Sequence, residues 1–238
     1  MSDATWLAID TATDVASVAV RVGEQTFARS IRGARQHAAQ IVLLIDEVLK
    51  AAQLPLDQVT GIIVADGPGS FTGLRIGWAA AKGLLHGRRH ASLIAIPSLL
   101  AAAHAAGVHT VAACYDALRG QVYGAVYAFT EDAVKTLVPA GVFTIAELAA
   151  AAPRRPELAV GDGAVRYHAE VQQWTRRPPV GLDALPPSAG SLLALYEYEG
   201  ARSPRADTSV AEPVYGRPAE AQVKWETRHG RPLPHSSR

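Results

Sequence analysis

The chain is poor in most of the residues that announce a chemistry. Its 238 residues include one cysteine, Cys114, which excludes an internal disulfide and any cysteine-based metal cluster. A lone cysteine in an apolar strand reads as a small core residue. Neither sign of charge is in excess, with 23 Lys and Arg against 22 Asp and Glu. Division at residue 110 leaves 9 basic and 8 acidic residues before it and 14 of each after it, so neither half is a basic module built to neutralise nucleic-acid phosphates. The small clusters at Arg29, Arg32 and Arg35, at Arg88 and Arg89, and at Arg176 and Arg177 read as solvated surface. No run approaches the roughly 20 apolar residues of a membrane span, and the N-terminus has no basic segment leading into an apolar one. The expectation is a soluble cytoplasmic chain with no membrane contact.

Catalytic signatures are equally scarce. In Gly69-Ser-Phe-Thr-Gly73 the serine stands one place early for a nucleophile elbow, and Leu74 follows Gly73 where a phosphate-binding P-loop needs lysine. His86 and His90 have the spacing of a helical metal pair, but Gly87 replaces the glutamate of a zinc peptidase and Arg88 and Arg89 would repel a dication. His104, alone on an alanine-rich helix, reads as a packing or surface residue.

What the chain does have is core: 49% of its residues are hydrophobic, enough for one large or two modest domains. Trp6 to Ile9 reads as a buried strand, Val18, Val20 and Val22 alternate on a second, and Thr26 to Ile31 form a third after the Gly23-Glu-Gln25 turn. A helix from about His37 to Gln53 places Ile41, Leu44, Ile45, Val48, Leu49 and Ala52 on one face and leaves Leu43 pointing away, the mark of a second contact surface. Strand 60–65, helix 71–86 and strand 92–96 make a parallel β-α-β crossover, so residues 1–110 form a mixed α/β domain. After Gly107 the strand pattern repeats at 111–114 and 121–129, with Asp116 following its strand as Asp10 follows the first. Thr144 and Glu147 have capping-box spacing at a helix start, a strand precedes Val160-Gly-Asp-Gly163, and Ser188 to Tyr198 read as a helix. The residues from Thr227 are polar and proline-containing and are expected to be disordered.

The most specific segment is Asp66-Gly-Pro-Gly-Ser-Phe-Thr-Gly-Leu-Arg75, a sharp corner from strand into helix. Ser70 or Thr72 can cap that helix, and its first N–H groups can equally face an anion or a partner. The helix carries Gly73, Gly77, Ala80 and Ala81 at helical spacing, with Arg75, Trp78 and Lys82 on other faces. Each interior glycine costs about 1 kcal/mol relative to alanine, which close approach of another element would offset, either across an interface or by tight packing within one domain. Asp10 and Asp116 stand where nucleotide-binding relatives of such a duplicated fold hold magnesium and phosphate, and Thr11 and Thr13 have hydroxyls to donate there; the same residues also commonly satisfy backbone groups in turns.

These segments carry a resemblance. The corner and its helix start, Ser92-Leu-Ile-Ala-Ile-Pro97, Leu7-Ala-Ile-Asp-Thr-Ala-Thr13, Asp116-Ala-Leu-Arg-Gly-Gln-Val-Tyr123 and Glu212-Pro-Val-Tyr-Gly-Arg217 are similar to the bacterial TsaB (YeaZ) family over residues 5 to about 225. The resemblance implies an α/β fold of the ASKHA type (actin, hexokinase and heat-shock ATPase), with two related subdomains of mixed sheets flanked by helices, here 1–110 and 111–225 followed by a polar tail at 226–238. It implies a pseudo-enzyme required for threonylcarbamoyladenosine formation in tRNA. The catalytic partner would be TsaD, with the ATPase TsaE in a ternary complex, a homodimer possible, and tRNA bound mainly through the complex. ATP, magnesium and metal are expected on the partners; none is assigned to this chain. TsaD carries metal-binding histidines just after the strand matching 92–96, where this chain has Ser98, Leu99 and Leu100. Two residues depart from the family pattern: Asp66 in place of arginine before the corner, and Gly216 in place of leucine in the terminal motif. On this reading helices 37–53 and 71–86 form the partner surface, through His37, Ile41, Leu43, Leu44, Ser70, Phe71, Thr72, Gly73, Arg75, Gly77, Trp78 and Ala81. A bulky residue at Gly77 is then expected to break partner binding without unfolding the chain. The alternative is a kinase or carbamoyl transferase of the same fold using Asp10 and Asp116 on magnesium nucleotide.

Overall fold

The computed structural model describes residues 5–33, 37–88, 91–186, 188–202, 212–216 and 228–230. Arg35, Arg89, His90, Arg217 and most of the tail lie outside the described residues, as does the side chain of His37. The first sheet begins as a meander of β1 (Trp6–Asp10), β2 (Val15–Val22) and β3 (Gln25–Arg32), in which Ile9 pairs antiparallel with Val18. After α1 (His37–Ala51), β4 (Gly61–Ala65) joins β1 in parallel; α2 (Phe71–Leu85) then crosses over to β5 (Ser92–Ile96), giving the order β3-β2-β1-β4-β5. Strands β1 and β4 are apolar on both faces, as strands covered on both sides must be. The edge strand β3 is mostly exposed and carries Arg29 and Arg32, which discourages pairing with another chain.

The second sheet repeats the plan. After α3 (Ser98–His104), strands β6 (Thr110–Asp116), β7 (Val122–Phe129) and β8 (Val134–Phe143) form an antiparallel meander; α4 (Ile145–Ala151) leads to β9 (Leu158–Val160), parallel to β6. The expected Thr144–Glu147 capping box opens α4, with Thr144 N–H donating to Glu147 Oε2 (2.7 Å) and Glu147 N–H to Thr144 Oγ1 (3.2 Å). Helices α5 (Asp162–Arg166), α6 (His168–Thr175) and α7 (Ala189–Leu195) follow. A three-strand meander extended by parallel strands, made twice, is the ASKHA architecture.

Strand alternation sorts the side chains into layers. Leu7, Ile9, Ile62 and Val64 face α1 and α2, meeting Ile41, Leu44, Ile45, Val48, Trp78 and Ala81. Ala8, Ile63 and Ala65 face the middle of the molecule, where α7 packs on β1 and β2, α3 packs on β6 and β7, and the two helices touch. The outer face of the second sheet, including Cys114 and Val126, is covered by α4, α5 and α6. Each half therefore lends a helix to the central layer. Burial pushes the Cys114 thiol up to about 12, with Asp162 adding to the effect.

The glycine row of α2 proves to be internal packing. A Cβ on Gly73 would run into the Thr11 carbonyl oxygen, and one on Gly77 into Thr11 Oγ1. Trp78, expected on a different face, is buried with its indole N–H directed to the Ala65 carbonyl (3.3 Å). Gly77 thus abuts the protein's own first turn, which corrects the expectation that a bulky residue there would spare the fold. Gly83, in the same helix, is exposed with nothing within 4 Å of its would-be Cβ. Gly83→Ala should therefore stabilise by about 0.5–1 kcal/mol through helix propensity, whereas Gly77→Ala should destabilise by about 1–3 kcal/mol through overpacking. Urea unfolding of the two variants checks this; shifts of the same sign would refute it.

Candidate functional site

The corner leaves the sheet at the carboxyl end of β4, beside the carboxyl end of β1, where open α/β sheets place their sites. Its backbone is tied down from three sides. Gly67 N–H donates to Ser98 Oγ (2.8 Å) and Ser98 N–H donates back to the Gly67 carbonyl (2.9 Å). Ser70 N–H donates to the Ala12 carbonyl (2.7 Å), and the Thr11 hydroxyl donates to the Gly73 carbonyl (2.7 Å). Ser70 caps α2 by accepting from Gly73 N–H (3.2 Å). Of the two readings of this first turn, the helix cap is the one the serine side chain fills.

The sequence-predicted contact residues divide into a hidden set and a displayed set. Ile41, Leu44, Gly73, Gly77, Trp78 and Ala81 are buried against the first sheet and the β1–β2 turn, so they support the surface and do not form it. Leu43 is 52% exposed, as the helical spacing predicts, and beside it Val42, which sequence reasoning missed, is 66% exposed. Phe71, Thr72 and Arg75 are also exposed, and Ser70 is half-buried. The Arg75 guanidinium lies 5.4 Å from the centre of the Phe71 ring, and the Tyr215 ring packs on the same phenyl group at 4.5 Å. Tyr215 belongs to the Glu212–Gly216 segment, whose role no spacing in the sequence discloses.

The two aspartates that follow equivalent strands make the same turn. Ala12 N–H donates to Asp10 Oδ1 and Leu118 N–H to Asp116 Oδ1, each at 3.0 Å and each two residues on. Their surroundings then diverge. Asp116 Oδ2 accepts from Arg166 Nη1 (3.0 Å), and Asp116 N–H donates to Asp162 Oδ1 (3.1 Å), partners the sequence did not signal. Asp10 is wholly buried and its Oδ2 has no hydrogen-bond partner among the described residues. Thr11 and Thr13 are buried too, the latter accepting from Val15 N–H (3.1 Å). Asp10, Thr11 and Thr13 do not fit a magnesium–phosphate group in this arrangement, because the carboxylate is wholly buried and the hydroxyls already serve the backbone.

The remaining candidates have structural surroundings. Ser98, Leu99 and Leu100 lie in the core after β5. The His104 ring packs edge-on to Tyr198 (5.3 Å) and Phe129 (6.0 Å), and burial lowers its pKa. His86 is the exposed C-cap of α2.

Burial raises the Asp10 pKa from 3.8 to about 6, against the opposing effect of the Ala12 hydrogen bond. The unfolded carboxyl loses its proton first as pH rises, so stability is highest below pH 4 with respect to this group and is lost on the way to the folded pKa. A shift of this size is worth roughly 3 kcal/mol at neutral pH. Relative to Asp10→Asn, the protein should lose about that amount of unfolding free energy between pH 4 and pH 7. Urea titrations of both forms across that range test it, and a difference independent of pH would show that Asp10 is not held neutral.

Comparison with known proteins agrees with the geometry. The family model for TsaD, tRNA N6-adenosine threonylcarbamoyltransferase, matches residues 31–175, from the end of β3 to the end of α6. The tRNA threonylcarbamoyladenosine biosynthesis protein TsaB of Haemophilus influenzae is 32% identical over 97% of this chain and 100% of its own length. The protein of the same name from Bacillus subtilis is 28% identical over 93% of this chain and 97% of its own. Among solved structures, an uncharacterised Pseudomonas aeruginosa protein described as similar to the peptidase YeaZ superposes with a TM-score of 0.75 at 28% identity, covering 90% of this chain and 100% of that one. With its corner, its duplicated fold and a near full-length match in hand, the chain belongs to the TsaB (YeaZ) family.

Proposed function

We propose that this chain is a non-catalytic scaffold that binds and activates TsaD for threonylcarbamoylation of the adenosine beside the tRNA anticodon. The observation that carries the reading is the display of Val42 and Leu43 on α1, 66% and 52% exposed, on a helix whose other large apolar residues are buried. Beside α1 on the same face of the sheet, α2 displays Phe71 and Arg75 on a backbone tied to Ala12, Thr11 and Ser98. An apolar pair next to a rigid aromatic and a cation suits a protein surface, because a preorganised backbone loses little entropy on association.

Two features favour a supporting role over a chemical one. The first-turn residues Asp10, Thr11 and Thr13 are sealed inside, and Ser98, Leu99 and Leu100 fill the place where resemblance assigns the partner's metal-binding histidines. The balanced charge leaves tRNA affinity to the complex, with ATP, magnesium and metal on TsaD and TsaE. A second copy of this chain would compete for the same α1 and α2 surface. No helix among the described residues is long and apolar enough to cross a membrane.

The purified chain should bind TsaD from the same organism in calorimetry, and tRNA modification should require both proteins. Leu43→Asp should weaken association by roughly 30-fold, the loss of a small hot spot, with an unchanged melting temperature because the side chain is exposed. Absence of binding together with ATP turnover by this chain alone would replace the scaffold by the kinase or transferase reading.

A further inference from the structure

The Asp66–Arg75 corner is completed by residues distant in the sequence, the Tyr215 ring meeting Phe71 and Val214 N–H meeting the Asp66 carbonyl. Val214 N–H donates to the Asp66 carbonyl (2.8 Å), and a Cβ on Gly67 would collide with the Val214 carbonyl oxygen, so the glycine at φ +107° admits the incoming backbone. Pro213 is buried. The Tyr215 ring packs on Phe71 with centroids 4.5 Å apart, and Phe71 in turn carries the Arg75 guanidinium at 5.4 Å. At Gly216 a Cβ would lie 2.6 Å from the Tyr123 ring and 2.9 Å from Pro68 Cβ, so the segment is wedged between β7 of the second half and the corner of the first. Both positions at which the chain departs from the family pattern, Asp66 and Gly216, fall in this one contact.

We propose that residues 212–216 form a latch over the Asp66–Arg75 corner, and that Tyr215 is a positioning residue that holds Phe71 and Arg75 in the arrangement a partner protein meets. The second half of the proposal rests on the reading of this corner as the partner surface; the first half does not. The physical argument is one of exposure. Phe71 opens the first turn of α2 and Arg75 the second, on an exposed face where a side chain in water samples several rotamers. Covering one side of the phenyl ring with the Tyr215 ring removes that freedom, and the aromatic pair adds attraction beyond the area it buries. The Val214 hydrogen bond and the close approach at Gly67 fix the tyrosine's backbone, so the stack is supported from outside α2. The latch also links the two halves of the fold at the corner, since Gly216 lies against Tyr123 of β7. The positioning is assigned to the ring, and Tyr215→Phe separates it from the phenol oxygen, which lies within electrostatic reach of Arg75.

The test uses the full chain as wild type, Tyr215→Ala and Tyr215→Phe, and reads amide hydrogen exchange of residues 66–75 in the isolated protein together with TsaD binding by calorimetry. Tyr215→Ala should speed exchange in 66–75 by about tenfold or more, while strands β6 and β7 keep wild-type protection and the melting temperature barely moves. It should weaken TsaD binding by about tenfold, and Tyr215→Phe should restore both readouts because it keeps the ring stack. Unchanged exchange in Tyr215→Ala overturns the latch. Faster exchange with unaltered affinity overturns the positioning role, as does a Tyr215→Phe protein that behaves like the alanine variant. If the wild type itself fails to bind TsaD, the scaffold function falls, and with it the positioning role, while the exchange comparison still decides the latch.

Discussion

The contact on which the rest of the molecule depends is the seating of α2 against the β1–β2 turn. The backs of Gly73 and Gly77 lie against Thr11, while the Thr11 hydroxyl and the Ala12 carbonyl hold the Gly73 carbonyl and the Ser70 amide. No side chain fits between these backbones, so two otherwise unfavourable helical glycines are the residues that let the helix approach. Once α2 is set there, Trp78 and Ala81 fall onto Leu7 and Ile9, and α1 closes the layer with Ile41, Leu44 and Val48. The outward faces of both helices follow from that placement. Their exposed residues are exposed because the opposite residues have been fixed inside.

The same contact sets the two equivalent turns of the duplicated fold apart. Asp10 and Asp116 close equivalent turns with equivalent hydrogen bonds, so the duplication survives at atomic detail. In the second half the aspartate meets Arg166 and stays near the surface. In the first half α2 presses so closely that Asp10, Thr11 and Thr13 lose all but a trace of solvent. Burial makes the ionised form of this carboxyl costlier than in water, and its enclosure leaves a hydrated divalent ion no open coordination site. Tight seating of the corner and burial of the polar turn thus go together, and the outer residues of α2 stand on a backbone held from beneath.

Much of this was legible in the sequence, unevenly. All five strands of the first sheet and both of its helices could be read, because strands of alternating valines and a helix with one apolar stripe carry their periods openly. The outward turn of Leu43 followed from the same stripe. Strand β8 was missed because Pro139 and Gly141 interrupt it: Gly124 pairs with Gly141 and Val126 with Val138, so Pro139 and Ala140 bulge opposite Ala125 on an edge strand, where a missing N–H costs no ladder bond. The short helices α5 and α6 lie in a stretch whose prolines and arginines hide any stripe. The glycine row announced a close approach and left open what approached; only the fold shows that it is Thr11. Tyr215 was unreadable for a simpler reason, since nothing local marks a residue whose partner lies 144 positions away.

The displayed surface is small, and that bears on how the proposed scaffold would work. Val42, Leu43 and Phe71 together offer too little apolar area to hold a partner by hydrophobic burial alone, and Arg75 at a rim adds rate and orientation more than affinity. What the surface does offer is low reorganisation: its backbone is hydrogen-bonded from three directions and its one exposed ring is stacked from the side. Binding energy that is not spent on ordering this chain remains available to bias the partner between its own conformations. On the proposed scaffold reading, a rise in the partner's activity would come through such a bias. The more rigid a contact face, the larger the share of the contact energy that reaches the partner, and a buried polar turn with a clamped corner meets that requirement of the proposal.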